Sequence, residues 1–277
     1  MCYNAPMNFY QTVETALLSP EIDTKERLCA ELLRYCSTNE TFDQAGHSPL
    51  LFDTPSYAAF CTIVSPRELP ARKHFDTTEG LATLVHAITH IEFSAIDLAL
   101  DAVYRFPQMP QPYKMDWLGV AEDEIHHFRM LQTILEELGC VYGDLPVHQG
   151  LFDASMHTAG DVLDRMAVIP RHYEAGGLDV NPQIVKKLRN QAKSPLIVRI
   201  IEVLDVIESE EIDHVRKGDF WFRWLCAQRG LEPTETFREI LDRYALHRHK
   251  PHMNIQARKA AGFACEELLS LGAKACR

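Results

Sequence analysis

The chain is short of positive charge and lacks several familiar functional signals. Of its 277 residues, 28 are Lys or Arg and 39 are Asp or Glu, a formal net charge of −11 with histidines neutral. An acidic chain is a poor generic binder of nucleic acid or of an anionic membrane. It has no Gly-rich phosphate loop, no nucleophile elbow and no nucleotide-binding motif. The eight cysteines, Cys2, Cys29, Cys36, Cys61, Cys140, Cys226, Cys265 and Cys276, form no C-x-x-C pair and no zinc-ligand spacing. Several sit in helical, apolar surroundings, and all are expected to be reduced thiols of a cytoplasmic protein. Met-Cys-Tyr-Asn-Ala-Pro at the start lacks a basic region followed by an apolar run, so no signal peptide is expected. No apolar stretch approaches the roughly 20 residues of a bilayer span. What remains is an ordinary composition, 46% hydrophobic and 24% charged, enough for one large domain or a domain with arms.

Hydrophobic periodicity predicts an all-α chain. Residues 7–39 read as two short helices, the second with Thr24 as N-cap. Residues 40–78 form a long connection rich in Pro, Ser and Asp, with a β-like piece at 58–64. A loop of that length is usually functional or wraps a core. Four main helices follow. Helix A spans 78–104. Helix B runs from an N-cap at Asp116 to Leu138 and stops at Gly139. Helix C spans 154–175 and is ended by Gly176-Gly177. Helix D spans 195–228 and is ended by Gly230. The connection from Cys140 to about Asp153 is long enough for a crossover between two helix pairs. Further helices near 233–246 and 254–271 flank a basic segment, 246–252.

Two short stretches then stand out. Asp123-Glu124-Ile125-His126-His127 and Glu210-Glu211-Ile212-Asp213-His214 both contain Glu-x-x-His, as Glu124/His127 and Glu211/His214. Residues three apart share a helix face, so each pair directs a carboxylate and an imidazole the same way. Two such helices, with one glutamate from each of two others, make the dinuclear carboxylate site of a ferritin-like bundle. Glu92 on helix A and Glu174 on helix C are the candidates for the other two. Glu92, Glu124 and Glu211 interrupt apolar stripes: Leu81, Val85, Ile88 and Glu92; Trp117, Val120, Glu124 and His127; Ile200, Leu204, Ile207, Glu211 and His214. A buried carboxylate must be neutralised, and a metal ion does so. Helix C is the weak case. Its stripe is short, Pro170 must kink it or break a hydrogen bond, and on periodicity Asp161 and Asp164 compete with Glu174. The alternative for all six residues is a satisfied, metal-free polar network. The neighbouring Glu122, Asp123, His126, Glu208, Glu210 and Asp213 read as a solvated face.

Softer candidates surround these. His86 and His90 are placed to orient a ligand near Glu92 or to be ordinary helix histidines. Asp97 and Asp101 could orient the ligand histidines or lie on the surface. Trp221, Phe222 and Trp224 read as core rather than a radical relay. The cluster of His247, Arg248, His249, Lys250 and His252 reads as a solvated loop, with binding of an anion or cover of the site as the alternative.

These residues resemble a bacterial ferritin-like family of unknown function. The resemblance rests on the helix A run from His86 to Asp101 (HAITHIEFSAIDLALD), Asp123–His127, the stretch Ile169–Asp179, Glu211–Val215 with Gly218 and Trp221-Phe222, and Ala257–Phe263. It covers about residues 65–265. It implies a glutamate in the Pro-Arg-x-x-Glu-Ala stretch, and so selects Glu174 over Asp161 and Asp164. Gly176 stands where the family pattern implies an arginine, so no basic side chain acts there. More distantly, the layout is similar to the ferritin-like tRNA hydroxylase that oxidises a modified adenosine; that analogy concerns fold, not reaction.

The expectation is therefore a ferritin-like four-helix bundle with extra N-terminal and C-terminal helices and a long N-terminal loop. Residues 1–78 form an arm and wrapping loop, 79–230 the bundle, and 231–277 the C-terminal helices packed on it, as one structural domain. The expected activity is that of a non-haem di-iron protein, an O2-dependent hydroxylase or oxygenase. Its metal ligands would be Glu92, Glu124, His127, Glu174, Glu211 and His214, holding two Fe ions, or Mn, or an Fe/Mn mixture. Its partners would be O2, a small-molecule substrate and an external electron donor, with no membrane and no nucleic acid; a homodimer is compatible. The rival expectations are ferroxidase-type iron handling without an organic substrate, and a metal-free helical interaction module. The long arms argue against a storage cage.

Overall fold

The computed structural model describes residues 7–44, 46–191, 194–246 and 252–276. Among them every regular element is a helix, and the only strand-like feature is one parallel bridge between Ile63 and Val147. The chain divides into two compact units, residues 1–156 and 157–277.

The first unit is built on α3 (Thr78–Arg105) and α4 (Gln111–Glu137), which pack along each other. A connection of five residues makes them antiparallel neighbours. α3 begins where expected because the Thr77 hydroxyl caps Gly80 N–H at 3.1 Å. α4 begins five residues before the expected Asp116 cap. Pro110 and Pro112 fix helical φ at the start without losing an intrahelical hydrogen bond, so no side-chain cap is needed. The N-terminal α1 (Phe9–Leu18) packs on α3, and α2 (Ile22–Thr38) packs on α4. α2 starts two residues ahead of Thr24, with the Glu21 carbonyl taking the Thr24 and Lys25 N–H groups. The expected β-like piece is instead a 3₁₀ turn (Ser56–Ala59) followed by the Ile63–Val147 bridge. The bridge pins the 40–78 connection to the 140–149 loop through Val64 N–H to Val147 O, 2.8 Å, and Val147 N–H to Thr62 O, 2.9 Å.

The second unit is built on α8 (Pro195–Arg229), a helix of 35 residues. Ser194 caps Ile197 N–H, Pro195 opens the helix, and Gly230 closes it at φ +66°. Against α8 pack α6 (Val162–Val168), a π-turn (Ile169–Glu174), α7 (Ala175–Arg189), α9 (Pro233–Arg243) and α10 (Ile255–Ala260). The expected single helix over 154–175 is thus several pieces. α5 (Gly150–His157) stops and α6 restarts on an Asp161 cap. Pro170 has no N–H, and the chain absorbs the lost bond as a wider turn rather than a break. Gly176 and Gly177 do not end the helix; α7 continues through them, packed on α8. The last predicted helix is likewise two, α10 and α11 (Cys265–Ser270).

Two expectations need correction. Cys265 and Cys276 are joined by a disulfide across α11, so not every cysteine is a free thiol, and the cysteines no longer argue uniformly for a reducing compartment. Cys29, Cys36, Cys61, Cys140 and Cys226 are free and buried, while Cys2 lies outside the described residues. α3 is, by length and composition, apolar enough to cross a membrane, contrary to the expectation that no stretch approaches that length; 83% of its apolar window is buried in the fold. Of the basic cluster, 247–250 lie outside the described residues.

Candidate metal centre

In the first unit, the apolar faces of α3 and α4 bring Glu92, Glu124 and His127 together. Glu92 is 4% exposed, and Glu124 and His127 are wholly buried. His127 Nδ1 lies 3.2 Å from Glu92 Oε2 and 3.3 Å from Glu124 Oε2. One donor atom from each of the three falls within 4.8 Å of the others. The neighbours on α4 face the other way: Glu122 and His126 are exposed, as expected of a solvated face.

Burial and close approach shift the titration of this cluster. Burial, and then the adjacent Glu124 carboxylate, push Glu92 up to about 8. Burial alone would pull His127 down, but its hydrogen bonds and charge interactions with Glu124 and Glu92 outweigh that and raise it to about 11. Burial therefore keeps a proton on the Glu92 carboxyl near neutral pH. A divalent cation would take the place of the Glu92 and His127 protons and bind the oxygens and ring nitrogen they leave. Oxygen and nitrogen donors about 2.0–2.2 Å from one ion lie within about 4.4 Å of each other, so the cluster needs only a small contraction to close on it. The donors suit a hard or borderline ion such as Fe(II) or Mn(II).

In the second unit, α8 carries the other Glu-x-x-His. His214 is wholly buried, its Nδ1 is 3.5 Å from Glu211 Oε1, and the Glu211 side chain is 15% exposed. Asp213 points away to Arg216 and Lys217. Glu174 is the last residue of the π-turn, with Oε2 buried. A single wide turn of this kind is frequent at functional sites because it re-aims a side chain that an α-turn would direct elsewhere. The turn lies close to α8 because Gly218 has no side chain: a Cβ there would sit 2.2 Å from Pro170 Cβ. The two periodicity rivals of Glu174 have other roles. Asp161 holds Arg229 with two bonds of 2.7 Å, and Asp164 holds Arg243 and Tyr244.

The softer candidates sort differently. His86 and His90 bond to the 142–148 loop rather than to Glu92. Asp97 bonds Lys25 and Ser56, not a ligand histidine. Asp101 holds Arg105 at 2.6 Å. Trp221 and Phe222 are buried core, as expected, and Trp224 is half-buried beside Trp221.

The sequence profile of one family, described only as a protein of unknown function (DUF455), matches residues 18–269. The chain belongs to the DUF455 family. An uncharacterized protein of Haemophilus influenzae is 36% identical over 270 residues, covering 94% of this chain and 92% of its own length. No solved structure matches the chain. Membership in DUF455 brings no activity with it, so function has to be argued from the site.

Sequence reasoning missed several buried charged groups, Lys25 and Arg171 among them. Lys25, wholly buried, donates to Asp97 at 2.5 Å and to the carbonyls of Ala16 and Leu17. Arg171, also wholly buried, lies next to Pro170 at the start of the π-turn and pairs with Asp219 and Glu267. Lys25 lies on the apolar stripe of Leu28, Cys29, Leu32 and Cys36, and that position was its signal. Arg171 left a trace, as the Arg of the Pro-Arg-x-x-Glu-Ala run.

Proposed function

We propose that this DUF455 protein is a non-haem di-iron carboxylate protein, an O2-dependent oxidoreductase acting on a small organic substrate. In this reading Glu92, Glu124 and His127 form one half of the centre, and Glu174, Glu211 and His214 the other. The halves come together as a ferritin-like four-helix bundle whose N-terminal and C-terminal helices lie outside it. The observation that carries the reading is the convergence of buried donor atoms from Glu92, Glu124 and His127. Glu211 and the buried His214 repeat its chemistry, and the π-turn adds a sixth ligand. Four carboxylates and two imidazoles balance two divalent ions without leftover charge.

When bound, such a centre supplies reduction of O2 and oxidation of a neighbouring substrate. The protein's own residues do the rest. Glu92 and Glu124 hold ligand oxygens in a site from which water is excluded, and His127 and His214 each present a ring nitrogen. The apolar faces of α3, α4 and α8 surround these groups with side chains that do not compete for the ion. Electrons come from an external donor.

The test is metal content per chain, by plasma mass spectrometry on protein made with iron and manganese supplied. The expected result is close to two ions per chain, falling below one in Glu124→Ala and in Glu211→Ala. No transition metal after anaerobic Fe(II) reconstitution overturns the reading. One observation favours a second reading: His127 already bridges both carboxylates, as a metal-free ion-paired module requires. That reading predicts no metal in any variant. Ferroxidase chemistry without an organic substrate predicts two ions but no O2-dependent product from any small molecule.

A further inference from the structure

The faces of α3 away from Glu92 carry a feature the metal centre does not use. A cavity of about 260 Å³ lies between α3, the 66–72 segment and the 145–148 loop. Its apolar wall includes Leu69, Ile91 and Val147. Ile91 is 43% exposed, an unusual position for a large aliphatic side chain on an otherwise buried helix.

Three histidines and Arg72 are among the residues that line it. The backbone N–H groups of Gly143 and Leu145 both donate to His86 Nε2, at 3.0 and 3.4 Å. His86 Nε2 is therefore the bare nitrogen, and Nδ1 carries the proton. Gly150 N–H donates to His148 Nδ1 at 3.0 Å, which by the same logic leaves the proton of His148 on Nε2. His90 is saturated: its Nε2–H donates to the His148 carbonyl, and Tyr142 Oη donates to its Nδ1. That last arrangement locks the loop carrying His148 onto α3. Arg72 is exposed at the rim, close enough to act electrostatically on His148. No Asp or Glu lines the cavity; Asp144 and Asp153 reach it only as more distant charges on His86 and His148. In a chain of net charge −11, a concavity lined by histidines and a guanidinium and, among the described residues, by no carboxylate favours negative charge.

We propose that this cavity binds a small organic acid, its carboxylate held by Arg72, His86 Nδ1–H and His148 Nε2–H, and its apolar body laid against Leu69, Ile91 and Val147. The fixed histidine tautomers make the anion site pre-organised, so binding orders little beyond the Arg72 side chain. The proposal does not rest on the metal reading.

Titration calorimetry of the full chain with butyrate, hexanoate and octanoate, each against the matched straight-chain alcohol, tests it. At least one acid is expected to bind about tenfold or more tighter than its alcohol, because the alcohol cannot accept charge-assisted bonds. Arg72→Gln, an exposed substitution with no packing role, is expected to remove that preference while leaving metal content unchanged; His148→Phe is expected to reduce it as well. Acids that bind no better than their alcohols overturn the proposal. So does acid binding that survives Arg72→Gln, the result expected if the carboxylate were held elsewhere, for example by a metal ion.

Discussion

The two units bury charge in opposite ways. In the second unit, Arg171 is wholly enclosed, with Asp219 Oδ1 2.9 Å from Nε and Glu267 Oε1 2.6 Å from Nη2. Its guanidinium also lies 4.1–4.7 Å from the ring centres of Phe222, Phe237 and Phe263. Arg223 shares both of those carboxylates, and Arg258 pairs with Asp179 at 2.7 Å. Three arginines thus face three acids, and the network is neutral. In the first unit, Glu92 and Glu124 face a single imidazole. A neutral buried network holds segments in place: here it fastens the C-terminal helices to α8 and to the π-turn. An acid-rich one, where burial keeps a proton on Glu92 near neutral pH, holds donors that a cation would take in that proton's place. The Lys25–Asp97 pair shows that the first unit also makes balanced pairs when it needs only structure.

The largest effect separating the two regions is expected from Arg171→Ala. It strands Asp219 and Glu267 and is expected to cost about 3–5 kcal/mol, read as a fall in urea midpoint at constant m. A loss under 1 kcal/mol would mean that the network is not the fastening inferred here.

Next comes the acid-rich cluster. Fe(II) or Mn(II) at 100 times its Kd is expected to stabilise the protein by about 2.7 kcal/mol. Glu124→Gln is expected to abolish that gain while leaving metal-free protein at least as stable as the parent, because it relieves the repulsion between Glu124 and Glu92. A destabilised metal-free Glu124→Gln would place this cluster in the same class as Arg171.

Gly218→Ala is smaller. The added methyl meets Pro170 and is expected to cost about 1–3 kcal/mol by overpacking. Because it displaces the π-turn, it is also expected to lower metal content, whereas Arg72→Gln is not. Smallest is Asp213→Ala, between Glu211 and His214 in sequence but paired outward with Arg216 and Lys217. It is expected to change stability by less than about 1 kcal/mol and metal content not at all. Any loss of metal there would show that the outward and inward faces of α8 are not independent.

Much of this was readable from local rules. The start of α3 and both ends of α8 follow from Thr77, Ser194, Pro195 and Gly230, whose roles depend only on neighbours within one turn. The start of α4 was misjudged because Asp116 resembles a cap, while the prolines before it do the same work without a side-chain bond. The region 154–175 was misjudged for a different reason. Whether a proline kinks, breaks or widens a helix depends on what packs against it, and Gly218, 48 positions along the chain from Pro170, decides that here.

By itself, the sequence determined that the chain is helical and that Glu92, Glu124, His127 and His214 lie on buried faces, because a period of 3.6 residues records which side of a helix avoids water. Only the tertiary structure decided which buried charges are neutralised. It assigned Asp161 and Asp164 to arginines, gave His86 and His90 to a loop rather than to Glu92, and closed three carboxylates around Arg171 and Arg258. Such pairings join residues tens of positions apart, and no local pattern encodes a charge balance that exists only once the segments meet.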